Sequence, residues 1–514
     1  MRQESAITQD LGRHLRLGEM IVAGGENRKC AIYSNCLTYT YPDYPFVNHH
    51  WGSEVIFYLL YEWAGFSGII IFKTLVLGLT FVITAYHALG FNKGLAFLKR
   101  PGLFRLAISI ILVFLSIQMM ADRLTTRPEI FGYLFFSLVF FILSRSNIKC
   151  YITFYILPII ILLWVNLHIS FIFGLILIYL WSLSALIKKG LALAYAKARP
   201  YQTIVIPATS TILAIPAIST LITILNPSGL NGALMPLSIL KDYGYTIVEN
   251  MTPFFLSAFK PQPEYWIYTI ILIVTIGLFL FSSAKKNPFH ILTFLTFSLF
   301  PLIAVRHLPF FALVAPVVLT PLATSVFKGQ ALRSKAWPYH AYIPTLTISF
   351  LFLAAFINPV PLAYAKLPPI NQSADSRHEP AVEFVKQNNL QGPMWNNYDI
   401  GSFLEWAIPK HKTFVDGRPE AFPVGFFQKT YIPMQENKDV WDRITAGYDI
   451  QWIFAAVTDS TPWFIKWRQM IQTHQDWKIV YFDNFSAVLV KAGGINDSIQ
   501  PQGKAKLLNA AGLD

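Results

Sequence analysis

Charge is what this chain of 514 residues has least of: Asp, Glu, Lys and Arg together make up 13% of it, about half the share in an ordinary soluble domain. The length would suit about three soluble domains, but so few ionisable side chains leave long stretches with no polar cover. Cysteine is nearly absent. Three residues, Cys30, Cys36 and Cys150, exclude a disulfide framework, although Cys30 and Cys36 share a polar segment in which one disulfide could form. Acidic residues are scarcer than basic ones, 28 against 41, which gives a net charge of +13. In a membrane protein such an excess gathers as Lys and Arg in cytoplasmic loops, so no nucleic-acid partner is expected. Residues 1–50 hold no apolar run long enough for a secretory signal peptide, and the chain shows no internal repeat.

What the chain does have is apolar length: 54% of residues are hydrophobic and 15% aromatic, with a mean hydropathy of +0.46. A helix needs about 20 mostly apolar residues to cross a bilayer. Runs that approach this lie near 68–90, 103–121, 129–144, 151–166, 168–186, 203–225, 265–282, 288–305, 308–326 and 341–360. The pattern predicts an α-helical polytopic bundle of about ten spans over 68–360, with 1–67 as a first loop.

Alternate loops between these runs are basic. One set holds Lys93, Lys99, Arg100 and Arg105; Arg145 and Lys149; Lys188, Lys189, Lys197 and Arg199; Lys285 and Lys286; and Lys328, Arg333 and Lys335. The positive-inside rule assigns this set to the cytoplasm. Residues 1–67, 122–128, the turn at 166–168, the loop 226–264, the turn at 306–307 and everything beyond 360 then face outward.

Past residue 360 the composition changes. Residues 361–377 read as a linker, 378–500 as a small extracytoplasmic α/β domain and 501–514 as a tail. The domain shows strand-like runs at 412–415, 450–457, 478–482 and 487–490, with amphipathic helices over 379–388 and 462–474.

Ionisable groups at membrane depth cost ~3 kcal/mol each or more, so their placement is informative. On the outward side, Asp10, His14, Arg16, His49, His50, Glu54, Asp122, Arg123, Arg127, Glu129, Asn166, His168, Arg306 and His307 all fall at or near helix ends. Asp10 and His14 are four apart, as are His50 and Glu54, so a helix sets each pair on one face. A carboxylate beside a histidine serves as general base, metal ligand or orienting partner. Arginines at headgroup depth suit phosphate, because the guanidinium fork matches its oxygens. Taken singly, each has a plainer explanation: helix capping, lipid contact or interhelical hydrogen bonding. Residues 53–63 are apolar on most faces but too short to span, which fits a helix along the membrane interface.

The stretches Asp10-Leu-Gly-Arg-His-Leu-Arg-Leu-Gly-Glu19, Tyr41-Pro-Asp-Tyr-Pro-Phe-Val-Asn-His-His-Trp-Gly-Ser-Glu54, Thr126-Arg-Pro-Glu129, Trp164-Val-Asn-Leu-His168, Arg306-His-Leu-Pro-Phe310, Asn396-Asn-Tyr-Asp-Ile-Gly401 and Val415-Asp-Gly-Arg418 together resemble a bacterial branch of the GT-C membrane glycosyltransferases. That superfamily includes protein O-mannosyltransferases, aminoarabinose transferases and oligosaccharyltransferase catalytic subunits. The resemblance implies transfer of a sugar from a polyprenyl-phosphate donor to a glycan, lipid or protein acceptor on the outer face of the cell membrane. It implies that Asp10, with His14 in place of a second acidic residue, is catalytic. It also implies that Asp10 helps hold a divalent ion such as Mg or Mn, and that Arg123, Arg127 and Arg306 hold the donor phosphate. A further span is expected ahead of Asp10, which would make about eleven.

Two other functions fit the composition. A transporter or flippase expects polar groups near the bilayer midplane and repeated halves. A non-catalytic envelope-assembly protein would use the C-terminal domain as a binding module.

Overall fold

The computed structural model describes residues 10–90, 101–145, 150–198, 208–239, 244–245, 247–259, 262–282, 284, 287–333, 377–503 and 505. The expected run at 341–360, nearly all of the linker and most of the tail lie outside these residues, as do Lys93, Lys99, Arg100, Lys149, Arg199, Lys285, Lys286 and Lys335.

Thirteen described helices precede the C-terminal region: α1 Leu11–Ala23, α2 Gly25–Tyr33, α3 Trp51–Leu89, α4 Pro101–Met119, α5 Glu129–Ser144, α6 Cys150–Leu167, α7 Phe171–Ala198, α8 Thr209–Leu221, α9 Gly229–Ser238, α10 Pro253–Phe259, α11 Pro263–Phe281, α12 Pro288–Leu299 and α13 Leu308–Arg333. Each expected apolar run within the described residues falls on one of them. Their lengths do not all reach a bilayer's thickness. Among the described residues four helical stretches are long and apolar enough to cross: Trp51–Leu89, Phe171–Leu191, Pro263–Leu280 and Val305–Val326. Thr209–Ile224 with Gly229–Ser238 makes a fifth if that pair, bent by 107°, is one broken span. The expectation of about ten spans is therefore met only in part, because α4, α5, α6 and α12 keep only shorter apolar stretches.

Helix α3 is bent where Ala64 and Gly65 leave helical geometry, Gly65 at φ 62°, a value glycine adopts freely. The run 53–63 forms the arm before that bend. Beyond it, Ile71, Leu75, Leu79 and Val82 are exposed. An apolar stripe of that kind is what lipid contact requires.

Inside the bundle, hydroxyl groups return their hydrogen bonds to backbone or to each other. Ser116 donates to the Ala312 carbonyl at 2.6 Å, Tyr268 to the Ser298 carbonyl at 2.7 Å, and the Thr84 and Ser137 hydroxyls pair at 3.2 Å. Basic side chains collect at one end. Arg105 donates to the Ala88 carbonyl, Lys188 to Asn287, and the Arg145 guanidinium lies 4.3 Å from the centre of the Phe141 ring. Arg145 follows the last residue of the 16-residue helix α5, so it lies about 24 Å along that helix from Glu129.

The C-terminal region is built on a five-stranded mixed sheet. Its strands are β1 Met394–Asn396, β2 Trp452–Ala456, β3 Trp477–Phe482, β4 Ser486–Lys491 and β5 Gln502–Gly503, in the order β1-β2-β4-β3-β5. Helices α14 Glu379–Gln387, α15 Tyr398–Ala407, α16 Lys438–Gly447 and α17 Pro462–Gln472 accompany it. The expected strand at 412–415 is not in the sheet; Thr413 instead makes an isolated bridge with Thr38. Buried asparagines explain why. Asn396 accepts from the Phe414 amide at 2.8 Å and donates to the Val415 carbonyl at 2.7 Å, so a side chain meets backbone groups that a strand would pair.

The N-terminal loop and the sheet region are packed together. Tyr39 donates its hydroxyl to the Met394 carbonyl at 2.7 Å, Thr40 to the Phe414 carbonyl at 2.9 Å, and Cys30 and Cys36 form a disulfide beneath them. A β-carbon on Gly12 would stand 2.6 Å from the Ser402 carbonyl oxygen, so glycine lets α1 lie against α15.

Candidate active site

At the end of the bundle away from the basic helix ends lies a cavity of about 190 Å³. Its wall includes Asp10, Arg13 and His14 from the start of α1, His49 and His50 from the turn before α3, and Arg127 and Glu129 at the start of α5. His168 joins from the α6–α7 turn, Glu249 from the loop before α10, Arg306 and His307 from the turn before α13, and Gly417, Pro419 and Glu420 from the C-terminal region. Residues more than 400 positions apart thus face one space.

The anionic and cationic groups alternate around it. Arg127 contacts Asp10 Oδ2 at 3.1 Å through one nitrogen and Glu249 Oε1 at 2.8 Å through the other. Arg13 lies 3.7 Å from Asp10 Oδ1. Behind them Arg123 joins Glu249 at 2.9 Å and Glu129 at 3.3 Å, and Tyr133 donates to Glu129 at 2.8 Å. Arg306 donates to Asn250 Oδ1 at 3.0 Å. Burial alone would push the Glu249 carboxyl up, but Arg123 and Arg127 hold it below the usual carboxylate range.

Four histidines make up much of the remaining wall. His49 and His50 have ring centres 4.0 Å apart, His50 stacks on His168 at 5.1 Å, and His14 meets His50 edge-on at 5.4 Å. Burial, with His168 next in weight, lowers His49 to about 3; burial lowers His168 to about 4, with Arg306 adding to that and Glu129 opposing it. These rings are therefore neutral near pH 7. The His168 Nδ1 accepts from the Ser170 amide at 3.1 Å, which leaves its proton on Nε2.

The helical spacing does not pair the residues as expected. Asp10 precedes α1 as its N-cap and engages arginines, not His14. His50 is likewise the N-cap of α3, outside helical geometry, so the four-residue offset does not bring it onto Glu54. Glu54 instead shares a hydrogen bond with His14 Nδ1 at 3.0 Å and accepts from Asn48 Nδ2 at 2.6 Å. Asn166 lies outside the cavity wall and is structural, accepting from the Trp51 indole at 3.0 Å and donating to the Leu225 carbonyl at 2.9 Å. Arg123 and Glu54 stand one layer behind the wall. Arg13, Glu249 and Glu420 were not singled out by sequence, and only Arg13 lies inside the quoted motifs that could have marked it.

The C-terminal motifs hold this wall in place. Arg418 grips Asp416 through two nitrogens, donates to Asn35 Oδ1 at 2.8 Å and stacks 4.9 Å from the centre of the Phe46 ring. Asn397 accepts from the Ala456 amide at 2.9 Å and donates to Asp459 at 3.0 Å, so it braces β2 and does not cap α15.

A divalent ion at Asp10 was expected. The donor set does not suit one, because both Asp10 oxygens face guanidinium groups whose charge a cation would oppose. Among the described residues, metal-capable atoms converge within 4.8 Å only at Asp442, His474 and Asp476, on α16 and in the turn before β3.

The fold can be compared with known proteins. No family model matches the sequence, and no curated protein matches it significantly. Solved structures do match. The oligosaccharyltransferase of Archaeoglobus fulgidus, tethered to an acceptor peptide containing an NVT sequon, superposes with a TM-score of 0.54 at 12% identity, over 94% of this chain and 70% of that one. The same enzyme with an inhibitory peptide and a dolichol-phosphate gives 0.52 at 12% identity, over 93% and 70%. The chain shares the overall fold of the archaeal oligosaccharyltransferase. ArnT from Cupriavidus metallidurans gives 0.49 at 13% identity over 96% of this chain and 94% of that one, so the assignment rests on the archaeal enzyme. The shared fold and the exposed helices long and apolar enough to cross a bilayer together make this a membrane protein.

Proposed function

We propose that this chain is a membrane glycosyltransferase that moves a sugar from a polyprenyl-phosphate-linked donor to an acceptor hydroxyl on the outer face of the membrane. The observation that carries the proposal is the cavity itself, in which Arg13, Arg127 and Arg306 face Asp10 and His14 at one end of an apolar helix bundle. Such transfer needs stabilisation of the departing phosphate and a group to take the acceptor's proton. Guanidinium groups on the cavity wall supply the first, since they keep their charge and present paired donors to phosphate oxygens. Asp10 and His14 are the candidates for the second. The complex of the archaeal enzyme with a dolichol-phosphate supports a lipid-phosphate donor for the same fold.

The acceptor oxygen attacks the anomeric carbon as the bond to the phosphate oxygen breaks, and the electron pair leaves with the phosphate. The arginines offset the charge that accumulates there. The outward orientation follows from the alternation of basic loops, and the cavity lies at the opposite end from Arg145 and Lys188.

The test is sugar transfer by the full chain from a panel of radiolabelled polyprenyl-phosphate sugars, with Asp10→Asn as control. Transfer from one donor that disappears in Asp10→Asn is expected. No transfer from any donor, by protein that still binds the carrier lipid, would overturn the proposal and favour the flippase or assembly functions.

A further inference from the structure

The proton acceptor can be narrowed. We infer that His14 Nε2, oriented by Glu54 through Nδ1, takes the acceptor's proton, and that Asp10 positions the arginines. The inference rests on the transferase reading above.

The geometry of the two candidates differs. Both oxygens of Asp10 are committed to guanidinium groups, at 3.1 Å from Arg127 and 3.7 Å from Arg13. His14 has one nitrogen engaged and one open. Its Nδ1 lies 3.0 Å from Glu54 Oε1; the ionised form of Glu54 can only accept, which puts the ring proton on Nδ1. Nε2 then carries a lone pair, and no hydrogen bond among the described residues engages it. His14 lines the cavity, so that lone pair belongs to a ring in contact with the space the acceptor would fill.

The orienting carboxylate is fixed on every side. Glu54 is fully buried. Its second oxygen accepts from Asn48 Nδ2 at 2.6 Å, and Asn48 also donates to the Ala31 carbonyl at 3.0 Å. Gly18 makes the close approach of α1 to α3 feasible, because a β-carbon there would stand 2.2 Å from the Glu54 carbonyl oxygen. A buried carboxylate that holds one tautomer and stabilises the imidazolium is the arrangement general-base histidines require.

The groups facing His14 are Arg13 on its own helix, Glu54 on α3, His49 and His50 before α3, Arg127 before α5 and His168 after α6. Burial first, then Arg13 and Arg127, keep the ring well below the usual histidine range. It is therefore neutral near pH 7, and the carboxylate of Glu54 3.0 Å from Nδ1 is the group that offsets the charge the ring gains in the step. In the step, the acceptor O–H bond breaks, its proton moves to Nε2, and the oxygen bonds to the anomeric carbon as the phosphate departs. The resulting imidazolium donates from Nδ1 to the Glu54 carboxylate and returns its proton to water once the product leaves.

Two measurements on the full chain test this. Diethyl pyrocarbonate acylates neutral imidazole nitrogens, and peptide mass spectrometry should find it on His14. In transfer assays, His14→Ala should lose at least ~100-fold in kcat with KM little changed, and added imidazole should restore about tenfold of that loss while doing nothing for Asp10→Ala. Should His14→Ala fail to fold, the isosteric Glu54→Gln should still lower kcat by about tenfold with KM retained. Unchanged kcat in His14→Ala, or absence of label on His14 in the unaltered chain, would overturn the inference. A chain that takes the label on His14 but moves no sugar from any donor overturns the transferase reading instead.

Discussion

Gly417 presses on Asp10: a β-carbon at position 417 would lie 2.9 Å from Asp10 Oδ1 and 3.1 Å from Ser402 Oγ. The C-terminal region therefore meets the first helix through backbone, with no room for a side chain. Gly417→Leu should displace Asp10 and lower sugar transfer by about 100-fold, the scale of a misplacement near 1 Å. Normal transfer with near-UV circular dichroism unchanged would show that the contact is not needed.

The arginines make a prediction about lipid. Arg127→Ala and Arg306→Ala should each weaken binding of a polyprenyl phosphate by more than ~1 kcal/mol, the scale of a lost charge-assisted hydrogen bond. Titration calorimetry in nanodiscs checks this, and equal affinity in both variants would remove the donor site from the cavity.

The approach of α1 to α3 predicts a packing effect. At Gly18 a β-carbon would meet backbone, the Glu54 carbonyl oxygen, which cannot rotate away. Gly18→Ala should cost ~1–3 kcal/mol in stability, as overpacked sites do. An unchanged melting temperature would mean the helices separate more easily than their contact implies.

Glu405 gives a pH dependence. Burial and the adjacent Asp416 push its carboxyl well above the usual range, against the pull of Arg418. The folded state thus keeps a proton that the unfolded chain releases above about pH 4.3. The stabilisation is fully present below that value and is lost as pH rises through the folded one. Glu405→Gln removes the titration, so the variant should gain on the parent as pH rises from 5 to 8, by ~1.4 kcal/mol for each unit of that shift crossed. Parallel melting curves across this range would refute it.

Orientation is open to labelling. A cysteine from Ser460→Cys should react with an impermeant maleimide only from outside, and one from Ser144→Cys only from the cytoplasm. Reaction at position 460 from the cytoplasmic side would invert the assignment.

Much of this site was legible because membrane chains place few charges idly. Asp10, His14, Arg127, His168 and Arg306 stood out as polar residues at outward helix ends, and all five line the cavity. Pairing was not legible. Sequence spacing joins His50 to Glu54 only if both are helical, and His50 is an N-cap. The actual partner, His14, lies 40 residues away, in a contact set by how α1 packs on α3. Glu249 was missed because its loop carries no periodic signal. Glu420 was missed because nothing in its own neighbourhood shows that it returns to the first helix. In the sheet, 450–457, 478–482 and 487–490 were found by their apolar content, whereas β1 is only three residues long. The run at 412–415 has strand composition but meets Asn396 and the N-terminal loop.

The bridge between Thr38 and Thr413 has a consequence for how the protein is made. Residues 10–14 leave the ribosome before their neighbours at 416–420, which follow only after some 400 more have been synthesised. Every span between them must be inserted before the pocket has its last wall. A nascent chain would thus carry its arginines and histidines into the membrane while still unable to act, and competence would arrive only once residues 416–420 have followed.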